Sequence, residues 1–184
     1  MSASPRPLLT LEPLIEAVRS GVEEGGWTLS GLQKTTSHQF EGRWAGDSTR
    51  SAYLFFHRAE GADWASVEAF LDETSRGLTG NLALVVDAIE LGGLGEIPRA
   101  LSDLAGLSAQ VMPPSARAPL TLRLHLPSTL TPVDNAETEI RFKLKLPGAS
   151  LSAGAAGVTV LVADTVRRFN TLLQEQGLRP FLDT

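Results

Sequence analysis

The sequence predicts an α+β fold in which an antiparallel sheet packs against amphipathic helices. Its start reads helix–meander–helix and its end strand–strand–helix. Three observations carry this. Residues 11–24 repeat apolar side chains at helical spacing, residues 120–126 and 140–146 alternate apolar with polar, and the connections between the strand-like runs are short. Short connections suit antiparallel pairing, and strands grouped apart from helices suit α+β rather than a doubly wound parallel sheet.

Each element has a local reason. Thr10 is placed as an N-cap, Glu12 and Pro13 fall in the first turn, and Leu11, Leu14, Ile15, Val18 and Val22 form one stripe. Gly25-Gly26 ends that helix. A three-strand meander is expected next. Trp27 to Leu32 alternates loosely, and Ser37 to Trp44 alternates better, with His38, Phe40 and Trp44 on one side. Residues 45–48 turn the chain into Ser51–His57, which is apolar on both faces and suits an interior strand.

A second helix is expected over 64–77, capped by Asp63, with Trp64, Val67, Phe70, Leu71 and Thr74 as its buried stripe. Asn81–Glu90 reads as another interior strand, broken by Leu91-Gly92-Gly93-Leu94-Gly95. Pro98 opens a short helix carrying Ile97, Leu101 and Leu104. Residues 108–119 read as a linker, because Pro113-Pro114 fits neither a helix nor a central strand.

Beyond it, Leu120, Leu122, Leu124 and Leu126 alternate with Thr121, Arg123 and His125. Ile140, Phe142, Leu144 and Leu146 alternate with Arg141, Lys143 and Lys145. Both runs have one apolar and one polar face, joined across a wide hairpin at 127–136. Residues 147–157 read as a small-residue loop. The last helix runs from about 158 to 176 on Val162, Val166, Phe169, Leu172 and Leu173, although its β-branched start, Val158–Leu161, also suits a strand. Residues 1–9 read as a frayed tail and 10–184 as one domain, with a division into two halves near 108–119 as the alternative.

The bulk composition excludes several function classes. The 184 residues include no cysteine, which removes disulfides, thiol catalysis and thiolate metal sites. The start of the chain has no apolar secretory segment, and no run approaches the ~20 apolar residues of a membrane span, so a cytoplasmic protein with no membrane partner is expected. The net charge of −5 and pI of about 5.2 disfavour a general nucleic-acid binder, since such binding neutralises phosphates.

The search for chemistry finds no catalytic, metal or cofactor residues. His38, His57 and His125 each fall in an expected strand without metal-pair spacing, and no G-x-S-x-G elbow occurs. Gly92, Gly93 and Gly95 resemble a phosphate loop but lack the third glycine of G-x-G-x-x-G, and no Lys-Ser/Thr follows. The pairs Glu23-Glu24 and Asp72-Glu73 are expected on outer helix faces, where adjacent residues point apart. Asp87 is notable as a carboxylate in an apolar strand, which burial would oblige to find a partner.

The sharpest surface feature is the polar side of the two late strands, where Arg123, His125, Arg141, Lys143 and Lys145 share one face if the strands pair. Like charges held opposite each other are destabilising, so something should offset them. The face suits an acidic protein or nucleic acid, or is merely solvated. It lacks aromatic residues, which argues against base stacking.

Two segments share a form. One is Leu84-Val85-Val86-Asp87-Ala88-Ile89-Glu90-Leu91 followed by Gly92-Gly93, the other Phe142-Lys143-Leu144-Lys145-Leu146 followed by Pro147-Gly148-Ala149. Each leads into a helix with spaced apolar residues. This ending resembles the strand-Leu-x-Gly-helix ending of the YbjN-type, type III secretion chaperone-like family, as does the opening helix and meander over about 11–57. Residues 94–119 depart from that pattern, and the doubled ending is not usual in it. The resemblance implies a homodimer that binds other proteins in a chaperone-like or stress-regulatory role, without a cofactor. Two other functions stay open: a nucleic-acid-associated protein using the basic face, and an enzyme assembled in space around Asp87 and a histidine.

Overall fold

The computed structural model describes residues 9–37, 49–58, 65–74, 76–87, 97–111, 120–125 and 137–174. In chain order the elements are α1 (Leu11–Glu24), β1 (Trp27–Ser37), β2 (Thr49–Arg58), β3 (Ala65–Thr74), β4 (Gly77–Asp87), α2 (Ile97–Val111), β5 (Leu120–His125), β6 (Glu137–Lys145), α3 (Gly148–Ser152) and α4 (Ala155–Gln174). The strands form one six-stranded sheet ordered β1-β2-β3-β4-β6-β5, with every neighbouring pair antiparallel. The fold is therefore α+β, with a helix first, strands next and a helix last, as the patterns predict. β6 lies between β4 and β5, so the strands on either side of residues 112–119 share one sheet.

Alternation decides the core. Ala52, Leu54 and Phe56 of β2, Val67, Ala69 and Leu71 of β3, Leu82, Leu84 and Val86 of β4, and Ile140, Phe142 and Leu144 of β6 are all buried. They form one apolar cluster with the stripe of α1, Leu104 of α2, and Val158, Val162, Val166, Phe169 and Leu172 of α4. Removing such a side chain from water contributes roughly 1.5–3 kcal/mol. The α1–β1 turn is fastened to α4: Trp27 Nε1 donates to Asn170 Oδ1 at 2.9 Å, and Asn170 Nδ2 donates to the Gly25 carbonyl at 2.8 Å.

The helix expected over 64–77 is a strand, β3, joined to β4 by a tight turn ending at Gly77, whose φ of 115° suits glycine. Ala65, Val67, Ala69 and Leu71 point to the helices, so period two prevails over the helical spacing of Val67, Phe70, Leu71 and Thr74. Trp64 and Asp63 lie outside the described residues. The pair Asp72-Glu73 consequently sits on this strand and not on a helix. Glu73 does the work expected of Thr10, whose side chain makes no capping bond. The Leu11 N–H donates to Glu73 Oε2 at 2.6 Å, and Arg50 Nη2 donates to the same carboxylate at 2.8 Å.

Other boundaries move as well. β1 continues to Ser37, with a bulge between Leu29 and Gly31 that explains its loose alternation. Residues 38–44 of the expected second meander strand, the turn at 45–48, the glycine loop at 91–95 and the hairpin at 127–136 lie outside the described residues. Residues 108–111, read as linker, complete α2. The expected loop at 147–157 contains α3 and the first turn of α4, and Val158–Leu161 are helical, their apolar side drawn into the core.

Candidate functional site

The strand residues that alternate with the core set emerge on the opposite side of the sheet, where none of the described helices packs. Two rows cross that side. The first runs Tyr53, Phe70, Asn81 and Lys145 over β2, β3, β4 and β6; the second runs Phe55, Glu68, Ala83 and Lys143. Tyr53 and Phe55 ring centroids are 4.8 Å apart and those of Tyr53 and Phe70 are 5.4 Å apart, within the range of favourable aromatic pairs. All three rings are half-buried.

Beside them lies an ion pair on β3 and β6. Glu68 is buried, and a buried carboxylate requires partners. Arg141 Nη1 donates to Glu68 Oε2 at 2.8 Å and Arg141 Nη2 donates to Oε1 at 3.4 Å, while the Tyr53 hydroxyl donates to Oε2 at 3.3 Å. Arg141 Nε donates to Glu139 Oε2 at 3.1 Å. Burial lowers the Arg141 pKa, but the hydrogen bonds and charges of Glu68 and Glu139 outweigh it and hold the guanidinium above its ordinary value. Between the rings and this pair is a half-open cavity of about 390 Å³, with Asn81, Ala83 and Lys143 completing its lining.

The five residues of the expected basic face fare differently. Arg141 is held by two carboxylates, whereas Lys143 and Lys145 stand exposed on the same side of β6. In register, Arg123 pairs with Glu139 and His125 with Glu137 across β5 and β6. The side chains of Arg123 and His125 lie outside the described residues. The offset demanded by like charges is thus supplied partly by Glu139, legible from its parity with Arg141, and partly by Glu68, which a helical reading of residues 64–77 conceals.

The aromatic residues read as absent from this face are present on it, contributed by β2 and β3. Tyr53 and Phe55 alternate with Leu54 and Phe56, a signal that one side of β2 carries rings away from the core.

Asp87 closes β4, half-buried and opposite Glu139 in register. His57 is exposed on β2, its Nδ1 2.6 Å from Ser30 Oγ, and β3 separates β2 from β4. His38 lies outside the described residues. Among the described residues no group of three or more metal-ligating side chains converges, and no helix is long and apolar enough to cross a membrane. Comparison with family models, with curated proteins and with solved structures finds no match to this chain.

Proposed function

We propose that this chain is a non-enzymatic, chaperone-like or regulatory protein of the cytoplasm that docks another protein on the side of its sheet away from the described helices. The observation that supports this reading is the Tyr53–Phe55–Phe70 cluster, half-exposed on the sheet beside the ion-paired Arg141 and a half-open cavity. Aromatic and arginine side chains held in place in this way are what protein interfaces concentrate at their centres. A homodimer belongs to the same proposal. β1 is an edge strand, exposed on both faces from Leu32 to Thr36, and Leu32 is an apolar residue left 41% open there. An edge of that length pairs readily with its own copy.

Nucleic acid is the second reading, favoured by one finding: the rings and Lys143 share a face, the combination used to stack single strands. The two carboxylates on Arg141 and the net charge of −5 weigh against it.

One experiment separates these outcomes. Benzoylphenylalanine is placed at Phe70, at Leu32 or at Val160, an apolar residue 68% exposed on α4 that serves as control. The full chain is then irradiated in host extract. The proposal expects a protein adduct from Phe70, a two-copy adduct from Leu32 and neither from Val160. Nucleic acid crosslinked at Phe70 would replace the leading reading with the second, and adducts at Val160 alone would end both.

A further inference from the structure

We infer that the segment docked on this face is acidic and carries an aromatic side chain about three residues from its carboxylate, an inference that rests on the docking reading above. The three cations of β6 are not equivalent. Arg141 commits Nε to Glu139 and one N–H of each terminal nitrogen to Glu68, so its charge and three of its five N–H donors are engaged within the chain. Lys143 and Lys145 are exposed, and neither ammonium has an ion-pair partner among the described residues. Asn81, directly opposite Lys145 and half-buried at the cavity, has a side-chain amide that hydrogen-bonds no described residue.

An ammonium offers donors only, so two of them beside an unused amide are complemented by carboxylate oxygens. The other end of the same row is apolar. Tyr53 and Phe70 expose half-buried rings at the cavity, where an incoming ring gains both burial and edge or offset stacking.

The spacing follows from sheet geometry. Lys145 on β6 and Phe70 on β3 are separated by β4, so they lie two strand intervals apart, roughly 10 Å. An extended segment lying across the strands rises about 3.3 Å per residue, which places its ring about three residues from its carboxylate. The acidic chain as a whole repels acidic surfaces, so the local cation pair selects a short segment rather than a broadly acidic protein.

The test titrates the intact chain into a fluorescein-labelled octapeptide holding two aspartates and a phenylalanine three positions away, read by anisotropy. Two controls replace the aspartates by lysine or the phenylalanine by alanine. The aspartate–phenylalanine peptide is expected to bind about tenfold tighter than either control, and to weaken as salt rises. The double variant K143E/K145E, whose changed side chains are exposed, is expected to keep the melting curve and lose about tenfold in affinity. Equal binding of the lysine peptide, or unchanged affinity in the double variant, overturns the inference. If no peptide binds while Phe70 still crosslinks a protein in extract, the acidic-aromatic assignment fails and the docking face stands. If both fail, the docking reading fails as well.

Discussion

Glu68 shows how much of the site depends on one carboxylate. It lies in β3 on the side away from the helices, buried, with both oxygens engaged by Arg141 and one also by Tyr53. Its substitution by leucine leaves a guanidinium that is 17% exposed with Glu139 as its one ion-pair partner among the described residues, and an under-compensated buried charge is costly. Glu68→Leu is therefore expected to lower stability by about 2–3 kcal/mol, somewhat less than a fully buried pair because Glu139 remains. Glu68→Leu together with Arg141→Leu removes the orphan and is expected to recover most of that loss, as apolar replacements of buried ion pairs commonly do. Urea denaturation of the two single variants and the double variant measures the coupling. Singles that cost less than about 0.5 kcal/mol would show the pair to be a solvated surface contact.

The helices α1 and α4 touch through glycine. A β-carbon on Gly21 would lie 2.7 Å from the Thr159 carbonyl oxygen and 2.8 Å from Val162 Cβ, closer than packed atoms tolerate. Gly106, inside α2, would meet nothing within 4 Å. The same change thus has opposite signs at the two positions. Gly106→Ala is expected to stabilise by about 0.5–1 kcal/mol through helix propensity, and Gly21→Ala to destabilise by about 1–2 kcal/mol because overpacking exceeds that gain. Thermal melts of both variants decide it, and a stabilised Gly21→Ala would mean the two helices separate freely. α1, β6 and α4 were legible in the sequence because each carries a single strong period of large apolar residues. β3 was not. Val67, Phe70, Leu71 and Thr74 satisfy the helical period while Ala65, Val67, Ala69 and Leu71 satisfy the strand period, and its alanines favour helix intrinsically. Only the neighbouring strands decide between them, since β3 completes the hydrogen-bond ladders of β2 and β4. The misreading removes Glu68 and Phe70 from the sheet, and with them half of the candidate site. The basic half, on β6, was legible because its alternation is unambiguous.

At the scale of the molecule, the two halves of the sequence complete one another. β4 takes β3 on one side and β6 on the other, so Leu82, Leu84 and Val86 are flanked by Leu144, Phe142 and Ile140. α1 belongs to the first half but packs against α4 of the second, and Trp27 finds its hydrogen-bond partner on α4 in Asn170. A fragment ending at residue 112 would keep α1, β1–β4 and α2 and lose the covers supplied by β6 and α4 at once. Several fully buried apolar residues would return to water at roughly 1.5–3 kcal/mol each, against a total stability for such domains of about 5–15 kcal/mol. The fragments 1–112 and 113–184 are therefore each expected to be unfolded alone, and to regain a cooperative melt when mixed, because the β4–β6 ladder and the α1–α4 contact reform together. Circular dichroism melts of each fragment and of the mixture measure this. A cooperative transition in fragment 1–112 near that of the full chain would mean that the first half holds a sufficient core of its own, and that the single sheet joins two units that fold separately.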